Sequence, residues 1–117
     1  MAKYRAGVKM WVAGTRAKGV FGEGKFKLLQ AVGKFGSLRK AADKHGISYR
    51  KAWGELKKAE ERIGEPLLIR ERGGSQGGNS QLTPFAEELL KSYAAFKDDV
   101  QVHADKAFKK RLGKYFK

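Results

Sequence analysis

Several residue types that define whole protein classes are missing or scarce in this chain. Its 117 residues contain no cysteine, which excludes disulfides, thiolate metal sites and a cysteine nucleophile, and fits a reducing cytosol. No apolar stretch approaches the roughly 18 residues of a membrane-spanning helix, and the apolar run near the basic N-terminus is too short for a signal peptide. We therefore expect one small cytoplasmic domain.

Negative charge is also scarce. Lys and Arg number 26 against 12 Asp and Glu, which gives a formal net charge of +14. Residues 1–40 hold ten basic residues and one acidic, 84–105 hold two basic and five acidic, and 106–117 hold six basic and no acidic residue. A surface this positive indicates a polyanionic partner, a nucleic acid or an acidic membrane, and the alternative is a basic protein without one. We expect the acidic stretch to face away from a nucleic acid.

Residues for catalysis or metal binding do not cluster in the sequence. The two histidines, His45 and His103, fall in different predicted helices without metal-ligand spacing or an obvious carboxylate constellation. The Gly22-Glu23-Gly24 stretch precedes a helix but lacks the spacing of a phosphate-binding loop. We therefore expect a protein that is not an enzyme and that holds no metal or cofactor.

Two helices joined by a tight turn are predicted by residues 36–64, GSLRKAADKHGISYRKAWGELKKAEERIG. Ser37 and Ser48 are the predicted N-caps of helices over 38–44 and 49–63, and Gly46 supplies the positive φ of the turn. The inward-facing residues recur every three or four positions: Leu38, Ala41, Ala42, Ala52, Leu56, Ala59 and Ile63. A short helix, a turn and a longer helix with a cationic first turn is the arrangement of a DNA-reading helix-turn-helix.

The flanking segments predict a hairpin before this unit and a wing after it. A strand over 8–12 with a partner over 18–22 precedes a helix over 25–33. Apolar strand-like stretches at 66–70 and 81–83 enclose a polar loop with four glycines, which is typical of a wing. The alternative for that loop is a disordered linker, but a linker does not need apolar flanks.

A long helix is predicted from Pro84, with Thr83 as its N-cap, to about Leu112. A helix of this length is too long to pack wholly on so small a body. We expect its far half to pack against a second copy of the chain, and the alternative is a helix that folds back on its own domain. The predicted dimerisation residues are Leu89, Tyr93, Phe96 and Val100.

The predicted fold is therefore mainly α with a small β component. It comprises a winged helix-turn-helix domain over 1–83 and a long dimerisation helix with a basic tail over 84–117. Within the first part we place a hairpin at 7–22, the helix-turn-helix at 37–63 and the wing at 66–83.

Candidate DNA contacts divide into those that read bases and those that hold phosphates. An arginine donates two hydrogen bonds to guanine, and an aromatic edge touches a thymine methyl. We expect Tyr49, Arg50 and Lys51 to contact bases. The expected phosphate contacts are Ser37, Arg39, Ser48 and Lys57. The wing candidates are Arg72, Gly73, Gly74 and Asn79. The alternative for the helix is a solvated basic face, and Trp53 either packs at the core edge or contacts DNA.

Residues 7–95 resemble the winged helix-turn-helix of LysR-type regulators and of molybdate-responsive (ModE-type) regulators. The resemblance lies in GSLRKAADKHGIS, PLLIRERGG and LTPFAEELL, and the run SYRKAW with the wing GGSQGGNSQLT favours the second family. It implies a dimeric transcriptional regulator of a two-fold-symmetric operator, with DNA contacts at 48–51 and in the wing. The molybdate-binding part does not appear before Lys117, so oxyanion sensing is not carried over and the effector is left open.

Two other functions remain compatible with the residues. Lysine outnumbers arginine eighteen to eight, which suits an architectural protein that neutralises phosphates without reading sequence. A protein–protein adaptor that uses the winged helix only for dimerisation is the other, although the basic recognition face argues against it.

Overall fold

A computed structural model of the chain describes residues 3–15, 19–70 and 79–117 and is mainly helical. Within these residues, no helix is both long enough and apolar enough to cross a membrane. The elements in chain order are β1 Trp11–Ala13, β2 Gly19–Gly22, α1 Glu23–Phe35, α2 Leu38–Lys44, α3 Tyr49–Ile63, β3 Leu68–Arg70, β4 Ser80–Leu82 and α4 Pro84–Leu112.

The core lies between α1, α2 and α3 and is closed by the first turns of α4. The largest side chains that are fully buried in it are Leu29, Val32, Leu38, Leu56 and Leu67. The inward-facing positions predicted in α2 are confirmed, as are those in α3 except Ile63, which is half-buried against the core. Burial of these apolar stripes is the main force that holds the three helices together.

Helix α1 is longer than the predicted span of 25–33, since it begins at Glu23 and ends at Phe35. Gly33 does not end the helix but allows β4 to approach, because a Cβ at this position would lie 3.0 Å from Leu82 Cδ1. The helix ends at Gly36, whose φ of 67° is left-handed and whose N–H donates to the Val32 carbonyl at 2.8 Å. A glycine within a helix costs only about 1 kcal/mol relative to alanine, so the helix passes through Gly33 and is ended by the left-handed cap at Gly36.

The N-terminal strand predicted over 8–12 is displaced, because β1 covers Trp11–Ala13 and pairs antiparallel with β2. The chain before β1 runs alongside α4 and antiparallel to it. The Tyr93 hydroxyl donates to the Met10 carbonyl at 3.2 Å, and Gln101 Nε2 donates to the Ala6 carbonyl at 2.9 Å. Side chains of α4 therefore satisfy backbone groups that a strand ladder would otherwise pair.

The predicted wing strands are present as an antiparallel pair, with Leu68 opposite Leu82. They are shifted by one or two residues from the predicted 66–70 and 81–83. The loop over 71–78, which carries three of the four predicted wing contacts, lies outside the described residues.

Helix α4 begins as predicted, since Thr83 Oγ1 accepts the Ala86 N–H at 3.0 Å and Pro84 occupies the first turn. The prediction that Tyr93 is a dimerisation residue is wrong. Tyr93 is only 4% exposed and its ring lies 5.1 Å from that of Phe21 and 4.8 Å from that of Phe26. Burial raises the pKa of Tyr93, with a further rise from Glu23 and an opposing effect of Lys97, so its hydroxyl remains a neutral donor.

Two glycines of α3 are expected to respond in opposite ways to alanine. Gly64 has a φ of 85°, so Gly64→Ala strains the C-cap and costs about 1 kcal/mol of unfolding free energy. Gly54 is helical, and an added Cβ there would meet no neighbouring group within 4 Å. Gly54→Ala is therefore expected to raise the unfolding free energy by roughly 0.5–1 kcal/mol. Thermal unfolding followed by circular dichroism measures both, and a Gly64→Ala variant as stable as the parent would contradict the left-handed cap.

Candidate nucleic-acid interface

Serine caps set the starts of α2 and α3. Ser37 Oγ accepts the Lys40 N–H at 3.1 Å, and Ser48 Oγ accepts the Lys51 N–H at 3.0 Å. Gly46, with a φ of 68°, makes the turn between the helices. Each hydroxyl uses a lone pair for capping and keeps its hydrogen, which is free to donate to a phosphate oxygen.

The starts of the two helices are joined by an arginine–tyrosine contact. The Arg39 guanidinium of α2 lies 4.5 Å from the centre of the Tyr49 ring of α3, a distance at which cation–π attraction is significant. Tyr49 is half-buried and packs on the core. The sequence predicted separate DNA contacts for these two residues, and the structure brings their side chains together.

The two faces of α3 differ sharply in exposure. Ala52, Leu56 and Ala59 are fully buried, whereas Arg50, Lys51 and Lys57 are exposed. This segregation leaves the cationic side chains on the face that is free to meet a partner.

Trp53 lies between these two faces. It is 40% exposed, which is compatible with packing at the core edge and also with contact to a ligand. The structure therefore leaves both predicted roles of Trp53 open.

Glu60 is a structural residue that the sequence did not reveal. Glu60 is 8% exposed, and its Oε2 accepts the N–H groups of Leu67 at 2.7 Å and Leu68 at 3.3 Å. These bonds fasten the start of the wing to the last turns of α3. The only signal in the sequence was the position of Glu60, four residues after Leu56 and so on the inner side of the helix. Its neighbour Glu61 lies one position further round the helix and is exposed.

The other strand of the wing is fastened on both sides. Thr83 Oγ1 donates to the Pro66 carbonyl at 2.8 Å, and the Ser80 N–H donates to the Gly36 carbonyl at 3.0 Å. Because Gly36 directly precedes the α2 cap, this bond brings the exposed residue next to Ser80, Asn79, near the start of α2 in space. The wing candidates Arg72, Gly73 and Gly74 lie outside the described residues.

A helix-turn-helix with a cationic second helix, flanked by a two-stranded wing that is bonded to it, defines a winged helix-turn-helix protein. In the part of the chain that the structure describes, no three side chains of the kinds that bind metals are grouped.

Comparison with known proteins agrees with this class and narrows it. Residues 24–87 match the family described as bacterial regulatory helix-turn-helix protein, lysR family. This is more than half of the chain, and the protein belongs to that family. The predicted resemblance and the predicted fold class are both confirmed.

Curated relatives include molybdenum-related proteins. The chain is 33% identical over 82 residues to the molybdenum transport protein ModE of Azotobacter vinelandii, covering 70% of this chain and 30% of that protein. It is 39% identical over 67 residues to the transcriptional regulator ModE of Haemophilus influenzae, covering 57% and 26%. The chain thus spans less than a third of the length of these relatives.

Solved structures with a similar fold include two DNA complexes. The DNA-binding domain of BenM with benA site 1 DNA has a TM-score of 0.52 and 25% identity, covering 76% of this chain and 92% of that one. The corresponding CbnR–DNA complex has a TM-score of 0.56 and 19% identity, covering 71% and 90%. The second likeness is one of fold alone.

Removing the Glu60 carboxylate is expected to loosen the wing from α3. Glu60→Ala leaves two buried N–H groups without this acceptor, and the cost is about 1–3 kcal/mol of unfolding free energy. Glu61→Ala, on the exposed side of the same turn, is the control and is expected to stay within about 0.5 kcal/mol. Urea unfolding measures both, and equal effects of the two substitutions would contradict the anchoring role.

Proposed function

We propose that the chain is a sequence-specific transcriptional regulator that binds double-stranded DNA with α3 in the major groove. The observation that carries this proposal is the exposed cationic run Arg50–Lys51 at the start of a helix whose other face is fully buried. A helix held in this way presents its first turn to base edges in a fixed register. The net charge of +14 supplies the attraction to phosphates.

The contacts divide by geometry. Arg50 and Lys51 are exposed at the tip of α3 and read bases. Arg39, held over Tyr49, contacts the phosphate backbone, together with the cap hydroxyls of Ser37 and Ser48. Three further contacts complete the proposed interface: Lys57 on phosphate, Trp53 at the groove edge, and the wing residues Arg72, Gly73, Gly74 and Asn79.

A homodimer on a two-fold-symmetric site is part of the same proposal. Because Tyr93 lies in the core, the proposed dimer contact on α4 consists of the three other predicted residues, Leu89, Phe96 and Val100. Phe96 is 45% exposed and the other two are partly exposed, and they lie on one side of the helix next to its buried face. A second copy that covers this stripe sets the spacing between two α3 helices.

A non-specific architectural DNA-binding protein is the second candidate, because lysine outnumbers arginine eighteen to eight. Such a protein neutralises phosphates wherever it binds, so its affinity falls steeply with salt and does not depend on sequence. The ratio of affinities for two duplexes therefore separates the candidates.

Replacing Arg50 tests the base-reading helix. Arg50→Ala is expected to weaken binding to duplex from the region upstream of the gene by about 1–3 kcal/mol, and binding to random duplex by less. A mobility-shift titration at moderate salt measures both affinities. Lys91→Ala, an exposed lysine in the acidic stretch of α4, is the control and is expected to change neither.

Two results would contradict this part of the proposal. If the parent protein shows no preference for the upstream duplex, specific regulation is wrong and the architectural candidate is favoured. If Arg50→Ala weakens both duplexes equally, Arg50 contacts phosphate rather than a base.

Placing a charge on the exposed stripe tests the dimer. Phe96→Lys is expected to shift the protein towards monomer, because an unpaired ammonium in an apolar contact loses its hydration. Val102→Lys is the matched control, since Val102 is 50% exposed on the same helix but about 120° away around it. Sedimentation equilibrium measures both, and a monomeric parent protein would contradict the proposed dimer.

A further inference from the structure

A cavity of about 460 Å³ lies between the N-terminal hairpin, α1 and the side of α3. Its inner wall is apolar, with Phe21 and Leu28 each 3% exposed and Ile47 half-buried. Trp11 also lines it and is 57% exposed. Its volume and its mainly apolar wall, with a few charged side chains, are typical of sites for small molecules.

The charged groups at this cavity are predominantly cationic. Lys25 and Lys51 both line it, together with Glu55. A second cavity of about 260 Å³ shares Lys25 and Glu55. That cavity adds Lys58 and Arg62, so four cations face one carboxylate among the described lining residues.

The Lys25–Glu55 ion pair uses the one carboxylate among the described lining residues and leaves three further cations there without one. Lys25 Nζ lies 3.7 Å from Glu55 Oε2, beyond hydrogen-bond length. The Lys25 side chain is only 20% exposed and that of Glu55 is 41% exposed. A partly buried ammonium that lies next to further cations favours a second anion, because reduced hydration strengthens the attraction.

We propose that this cavity binds a small amphipathic anion, a ring system that carries one carboxylate or sulfonate group. The rings pack against Phe21 and Leu28, and the anionic group meets Lys25 on the side of Lys58 and Arg62. The site goes beyond the proposed function and shares only Lys51 with the proposed DNA contacts, so it is tested without DNA.

The test uses 8-anilinonaphthalene-1-sulfonate and its uncharged counterpart N-phenyl-1-naphthylamine. Fluorescence titration of the parent protein is expected to give saturable binding of one anilinonaphthalenesulfonate per chain. The uncharged probe is expected to bind more weakly by roughly tenfold, since it lacks the charge-assisted contact. Non-saturable binding of the anionic probe, or equal affinity for the two probes, would overturn the proposal.

Filling the cavity tests its location. Gly24 lines the cavity, and an added Cβ there has no atom within 4 Å, so Gly24→Leu has room for its side chain and raises helix propensity. This substitution is expected to lower the affinity for the anionic probe by roughly tenfold or more. Gly54→Leu, equally open but lining neither cavity, is expected to leave affinity unchanged. Equal affinity of the Gly24→Leu and parent proteins would overturn the site.

Removing the cation provides a second variant that does not depend on tolerance of leucine at Gly24. Lys25→Gln is expected to weaken the sulfonate probe by roughly tenfold while leaving the uncharged probe unchanged. If the affinities for both probes fall together, or neither affinity changes, the charge does not select the ligand and the proposal fails.

Discussion

The close approach of α2 to α3 is the constraint on which the rest of the structure depends. Ala41 and Ala42 of α2 and Ala52 in the first turn of α3 are all fully buried. A longer side chain at any of them would push the helices apart, because a packed interior has no room for it. The Arg39–Tyr49 contact joins the starts of these two helices.

The wing is positioned by hydrogen bonds as well as by apolar burial, because Leu67 and Leu68 are buried in the core. Glu60 binds the two N–H groups that precede and begin β3, and Thr83 binds the Pro66 carbonyl. Glu60 lies near the end of α3 and Thr83 caps the start of α4. One small hydrogen-bond network therefore connects the recognition helix, the wing and the long helix. Under the proposed function this network keeps groove-reading and wing contacts in one register.

The long helix serves its own domain along much of its length. Tyr93 lies in the core, Lys97 pairs with Glu23 at 2.9 Å, and Gln101 binds the backbone of the N-terminal segment. These intramolecular contacts leave a narrower exposed stripe around Phe96 than the periodicity alone indicated. They also fix the hairpin whose inner face forms the apolar cavity, so the cavity beside α3 depends on α4 as well.

Local chemistry determined the elements of this protein and most of their ends, and packing decided their partners. The serine caps, the Gly46 turn, the Thr83-Pro84 start and the apolar periodicity were sufficient to predict the winged helix-turn-helix, because each acts within a few residues of sequence. Periodicity cannot tell whether an apolar side chain faces its own domain or a second copy, so Tyr93 was misassigned. Periodicity places Glu60, four residues after Leu56, on the inner side of α3, but its acceptor role exists only once β3 folds against α3. The exposed cationic turn was therefore determined by sequence, whereas its orientation to the wing and the cavity beside it were decided by tertiary structure.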